Sequence, residues 1–156
     1  MQVSQFKDFI AEKVERENKP IQVAIVTKTN PNLKKRKVGG KEDKELTVEL
    51  INDCCEELNI KCIVIETRNA IITGKDEEKN TLTVFNFDGK DTEHTFIGKD
   101  TICVTRAGAV EDEAGLSIIS AFQNSGSFMI NTRNAMLTCN NKLTSALLFE
   151  KFAIPT

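Results

Sequence analysis

The sequence has no tryptophan and no tyrosine, only one histidine, and just three prolines and eight glycines in 156 residues. Aromatic packing therefore falls to phenylalanine. No apolar run approaches the ~20 residues of a membrane-crossing helix, and Met1 leads into a polar segment rather than a signal core. The chain is accordingly expected in the cytoplasm. Five cysteines (Cys54, Cys55, Cys62, Cys103, Cys139) include no C-x-x-C pair, and His94 alone cannot complete a metal-site spacing. Their odd number argues against a disulfide framework, and reduced cysteine on an apolar face packs as a small hydrophobe. A dominant charge is missing too. Lys and Arg total 21 against 23 Asp and Glu, a formal charge of −2 that gives no global reason to expect nucleic acid or an anionic membrane as partner. Neither G-x-x-x-x-G-K-[ST] nor a G-x-G-x-x-G after the first strand is present, which disfavours a Walker-type site and a dinucleotide dehydrogenase.

What remains is the length and patterning of one ordinary domain, able to bury roughly two-thirds of its extended surface. Ser4 to Glu17 places Phe6, Phe9, Ile10 and Val14 at helical spacing, with Ser4 as cap. This extension, residues 1–20, either packs on a sheet edge or mediates self-association into a homo-oligomer. Ile21 to Thr27 is a nearly continuous β-branched run, as a strand covered on both faces should be. The segment from Lys28 to Lys44 follows, with Lys34, Lys35, Arg36 and Lys37 and then Gly39 and Gly40. It reads as a solvated loop or as a basic loop holding a phosphate, a nucleotide or an acidic protein tail. Glu45 to Asn59 predicts a helix with Leu46, Leu50, Ile51, Cys54 and Leu58 inward, and Ile60 to Glu66 a second buried strand, together a right-handed βαβ unit.

Thr67 to Lys79 is too short for another full crossover, and Gly74 is its expected turn. Thr81 to Phe87 alternates Leu82, Val84 and Asn86 against Thr83, Phe85 and Phe87. The turn signal of Asp88 and Gly89 then predicts an antiparallel return over Thr92 to Ile97. That hairpin is placed at the edge of the sheet, with His94 as surface decoration. Thr101 to Thr105 is a third buried strand, with Arg106, Ala107 and Gly108 just past its end. In open α/β sheets, ligands bind outside the carboxyl ends of strands. An arginine there offers a planar donor fork for carboxylate or phosphate, or else pairs with Glu111, Asp112 or Glu113. A helix over Glu111 to Asn124 stops at Gly126, and Ser127 to Ile130 closes the sheet. The expected fold is α/β: a doubly wound, mostly parallel sheet of four or five strands, helices on both faces, an edge β-hairpin and an extra N-terminal helix.

The last stretch carries the most information. After Asn131 come two helical turns, then a helix capped by Asn140 or Asn141, with Leu143, Leu147, Leu148 and Phe152 repeating at core-facing spacing. Lys142 falls in its first turn, where a cation opposes the helix dipole. It is either a solvated surface lysine or a partner for an anion held at the helix amides.

The series Asn131-Thr132-x-x-Ala135-Met136, Asn141-Lys142-Leu143, Leu147-Leu148 and Ile154-Pro155 resembles the end of the small α/β domain that precedes the nucleotide-binding domain of ATP-grasp ligases. The family pattern there is N-S-x-x-A-I, D-K-L, L-L and G-I-P. The likeness is to the RimK-type ligases, which add glutamate to the carboxyl terminus of a ribosomal protein. Thr105-Arg106-Ala107-Gly108 stands where such domains carry P-R-I-G, matching the arginine and the second glycine but not the proline. Thr132, Asn141 and Ala153 depart from the family's Ser, Asp and Gly.

The resemblance implies a pre-ATP-grasp domain over residues 21–156, with the catalytic domain lying beyond this chain. It implies Lys142 as a group reaching ATP phosphates, and Arg106, Gly108 and Asn131 as acceptor-positioning groups. No catalytic residue and no metal ligand is expected within the chain. ATP and Mg²⁺ would serve the complete ligase, with none bound to this portion alone. The implied partners are the second domain, an amino acid, and a protein or peptide acceptor carboxylate such as that of a ribosomal protein. Two other readings share the sequence. One is a stand-alone flavodoxin-like module that binds an acidic partner through Lys34 to Lys37. The other is the first domain of a D-alanine–D-alanine-like or glutathione-synthetase-like ligase.

Overall fold

A computed structural model describes residues 8–9, 11–12, 21–28, 37–38, 41–42, 46–87, 91–106 and 112–154. The predicted buried strand forms β1 (Gln22–Thr27), with Val23 to Val26 wholly buried. Two short strands, β2 (Lys37–Val38) and β3 (Lys41–Glu42), pair antiparallel within the basic segment. Residues 34–36 and both glycines of that segment lie outside the described residues. Then come α1 (Leu46–Glu57) and β4 (Lys61–Glu66). Asn59, at φ 53°, ends α1: its amide bonds Glu56 O at 3.0 Å and the Ile60 amide bonds Cys55 O at 2.8 Å. These two bonds satisfy carbonyls that the helix end leaves open.

The chain continues through β5 (Ala70–Asp76), β6 (Thr81–Asn86), β7 (Thr92–Ile97), β8 (Thr101–Thr105), α2 (Glu113–Asn124), β9 (Phe128–Ile130), α3 (Arg133–Asn140) and α4 (Lys142–Lys151). Four strands make one parallel sheet in the order β4-β1-β8-β9. Register runs from Gln22 opposite Lys61 to Thr27 opposite Glu66, and from Gln22 opposite Thr101 to Val26 opposite Thr105. Because strand side chains alternate, Val23 and Ile25 face one way and Ala24 and Val26 the other. The first face packs with Ile51 and Cys55 of α1, and the second with Ile118, Ile119 and Phe122 of α2. Gly126, at φ 82°, stops α2 as expected, with Ser127 N bonded to Phe122 O at 3.1 Å. Residues 8, 9, 11 and 12 are helical, and the Phe9 ring lies 5.1 Å from that of Phe128 on the outer strand β9.

The structure corrects the expected edge hairpin. β5, β6 and β7 form a three-stranded antiparallel sheet of their own. Its Leu82, Val84 and Phe96 pack into the same core as α2, with the Phe96 and Phe122 rings edge-on at 4.9 Å. It therefore covers a face of the parallel sheet and fills the crossover between β4 and β8. Gly74 is no turn. It lies within β5 opposite Thr83, at a register shift after Ile72. The reversal occurs instead at Glu77 to Asn80, where Asp76 Oδ1 accepts from the amides of Glu78 and Lys79 and Asn80 adopts φ 52°. Short polar side chains that bond nearby amides make turns as well as glycine does. Asp88 and Gly89 lie outside the described residues. Among the described residues, no helix is long and apolar enough to cross a membrane.

Candidate functional site

The site grows from the ends of three parallel strands. β1 ends at Thr27 and β8 at Thr105, and the chain past Thr105 stays in register: the Arg106 amide donates to Val26 O at 2.9 Å. Arg106 is thereby fixed at the carboxyl rim beside β1. Its side chain is half-buried and, among the described residues, has no ion-pair partner. Its Nε is buried with no hydrogen bond. A donor in that condition forfeits about 1–3 kcal/mol. Of the three carboxylates read as alternative partners, Asp112 is otherwise engaged: its Oδ1 accepts from Gly115 N at 2.8 Å and caps α2. Glu111 and Gly108 lie outside the described residues.

β9 brings Asn131 to the same rim. Asn131 adopts φ 68°, a conformation asparagine tolerates better than most residues. It is bonded to Thr105 twice. Its carbonyl accepts from Thr105 Oγ1 at 2.7 Å, and its Nδ2 donates to Thr105 O at 3.3 Å. Arg106 and Asn131 are thus brought together, with Thr105 as the link. In the sequence Thr105 stands out only as a strand end and as the residue that departs from the proline of P-R-I-G. A hydroxyl at the last strand position, next to the arginine, was the available signal.

The residues after Asn131 follow the predicted order. Thr132 caps α3 by accepting from Ala135 N at 3.3 Å, and Asn141 rather than Asn140 caps α4, accepting from Thr144 N at 3.1 Å. Lys142 is the first residue of α4 and is exposed. It stands a helix away in sequence from Asn131, and the bonds that join Asn131 to Thr105 do not involve it.

One expectation fails outright on α4. Leu143, Leu147 and Phe152 do not face a core: they are 70%, 56% and 64% exposed, with Phe149 and Ile154 also in solvent. Only Ser145 and Leu148 are half-buried. Helical spacing records that a face is apolar, not which body covers it.

The cysteines pack as reduced thiols. Burial pushes the Cys103 thiol, under the rim in β8, well above its usual range, so it is no nucleophile at neutral pH. Cys55 and Cys62 hydrogen-bond within the α1-side core, which raises the first and lowers the second. His94 is half-buried on β7, opposite Val84. Among the described residues no group of three His, Cys, Asp or Glu side chains could hold a metal ion. The chemistry available at the rim is anion recognition by Arg106, next to the carboxamide of Asn131. No protein-family model matches the chain, and no curated protein matches it.

Proposed function

We propose that this chain is the N-terminal, substrate-side domain of an ATP-dependent carboxylate–amine ligase, adding an amino acid, glutamate in the RimK-type case, to a protein or peptide carboxyl terminus. The observation that carries this reading is Arg106: a guanidinium at the carboxyl rim whose buried Nε lacks an acceptor. A carboxylate is the complementary group, because its paired oxygens match the donor fork. The strand order supports a doubly wound sheet with its crevice between β1 and β8, where the chain leaves toward opposite faces. The exposed apolar side of α4 supports a second domain closing over the carboxyl-terminal helices.

In this reading the acceptor carboxylate, oriented by Arg106 and Asn131, takes the γ-phosphoryl group of ATP. ADP leaves in that step; the amine of the amino acid then attacks the acyl phosphate carbon, forming the amide and releasing phosphate and the amine's proton. Lys142, at the start of α4, supplies positive charge toward the transferring phosphoryl group. Mg²⁺ and the remaining nucleotide contacts belong to the second domain, so this chain alone turns over no ATP.

The test is kinetic, in the ligase that joins this chain to its nucleotide-binding domain. Arg106→Ala should lower kcat/KM for the acceptor about tenfold or more and leave the ATP KM nearly unchanged. Lys142→Ala should do the reverse and raise the ATP requirement. Unchanged acceptor kinetics in Arg106→Ala would remove the acceptor from this rim.

A further inference from the structure

A small cavity opens at the end of β4, on the other side of β1 from Arg106. Two strand spacings separate β4 from β8, roughly 10 Å. The cavity measures about 100 Å³ and is lined by Val64, Glu66, Asn69 and Asn86. Asn86 is 4% exposed. Its Nδ2 donates to Val64 O at 3.2 Å, and since a carbonyl only accepts, this bond fixes which end of the carboxamide is which. The other end, Oδ1, is buried with no partner. Glu66 accepts from Asn69 Nδ2 at 3.1 Å, which engages one of that amide's two N–H groups and leaves its oxygen open. In the same turn Thr67 Oγ1 is also buried and unpartnered.

Each of the two carboxamides therefore has one N–H engaged and one left over, with its oxygen unfilled. Glu66, Asn69 and Asn86 each retain an unfilled oxygen, one of them on a carboxylate. The Glu66 carboxylate repels an anion there. A divalent metal ion finds too few charged ligands, with a single carboxylate present. An ammonium group carries three N–H donors and one positive charge, and so matches three acceptors and one carboxylate. The volume equals that of roughly three waters at about 30 Å³ each, the scale of an aminomethyl group, with Val64 beside the carbon.

We propose that this cavity is a binding site for a primary ammonium group, held by Glu66, Asn69 and Asn86. The proposal concerns the chain as it stands and does not rest on the ligase reading.

The experiment is an NMR titration of the full chain, following the Asn69 and Asn86 carboxamide resonances while methylammonium chloride is added. Potassium chloride and tetramethylammonium chloride are the controls. A saturable shift with methylammonium alone is expected, weakened about tenfold or more in Glu66→Gln and severalfold in Asn69→Ala, whose side chain is exposed. An equal response to potassium would overturn the proposal in favour of a metal cation. Absence of any saturable response would mean that the cavity holds water only.

Discussion

The parallel sheet and α4 both carry apolar patterns, a continuous run in β1 and β8 and a helical repeat in α4, yet they stand at opposite extremes of burial. In β1 and β8 every apolar side chain is buried, whereas no residue of α4 is. The sheet satisfies its pattern within the chain because α1, α2 and the antiparallel sheet all close on it. The apolar side of α4 meets water, a surface of the kind that marks an interaction site. Periodicity thus reports a need for burial, and only topology tells whether the chain meets that need itself.

The contrast is broken most forcefully at Gly98. A Cβ built there would come within 1.6 Å of Ser125 O, where β7's exit turn meets the end of α2. Neither backbone can yield cheaply. Gly98→Ala should cost about 3 kcal/mol or more in denaturant unfolding. A variant as stable as the parent would show that the two segments are not in close contact.

A smaller effect of opposite sign is expected at the end of α4. Ala153 adopts φ 52°, with its amide bonded to Glu150 O at 3.1 Å and the Ile154 amide to Phe149 O at 2.8 Å. This left-handed turn strains any residue with a Cβ, and glycine adopts it freely. Ala153→Gly should stabilise the helix end by about 1 kcal/mol, read from slowed hydrogen exchange at Ile154. The smallest effect is predicted for Leu143→Ser and Leu147→Ser. Each should change stability by under about 0.5 kcal/mol, since neither side chain leaves a core. A loss of 2 kcal/mol or more would place α4 in a core of this chain.

β1 and β8 were legible because buried strands are continuous apolar runs, while the outer strands β4 and β9 are only partly covered and Phe128 is exposed. α1 and α2 were legible because each carries an apolar stripe and a clear stop at Asn59 or Gly126. The antiparallel sheet was only half legible. Leu82 and Val84 announced a buried face, but Gly74 hid the turn that Asp76 and Asn80 make. Of the site, the position of Arg106 followed from its place after a strand, and its missing partner did not. Partnering depends on where Asp112 points, and Asp112 turns back to cap α2. The cavity beside β4 went unseen because Glu66 and Asn86 meet only through folding. Its one local trace was an asparagine on the buried side of β6, in line with Leu82 and Val84.

Anion recognition by Arg106 at the rim can be measured directly in this chain. A short neutral peptide with a free carboxyl terminus should shift the Arg106 Nε–H resonance saturably, and the same peptide amidated at that end should not. Identical responses to the two peptides, or an Arg106 resonance that neither one moves, would contradict it.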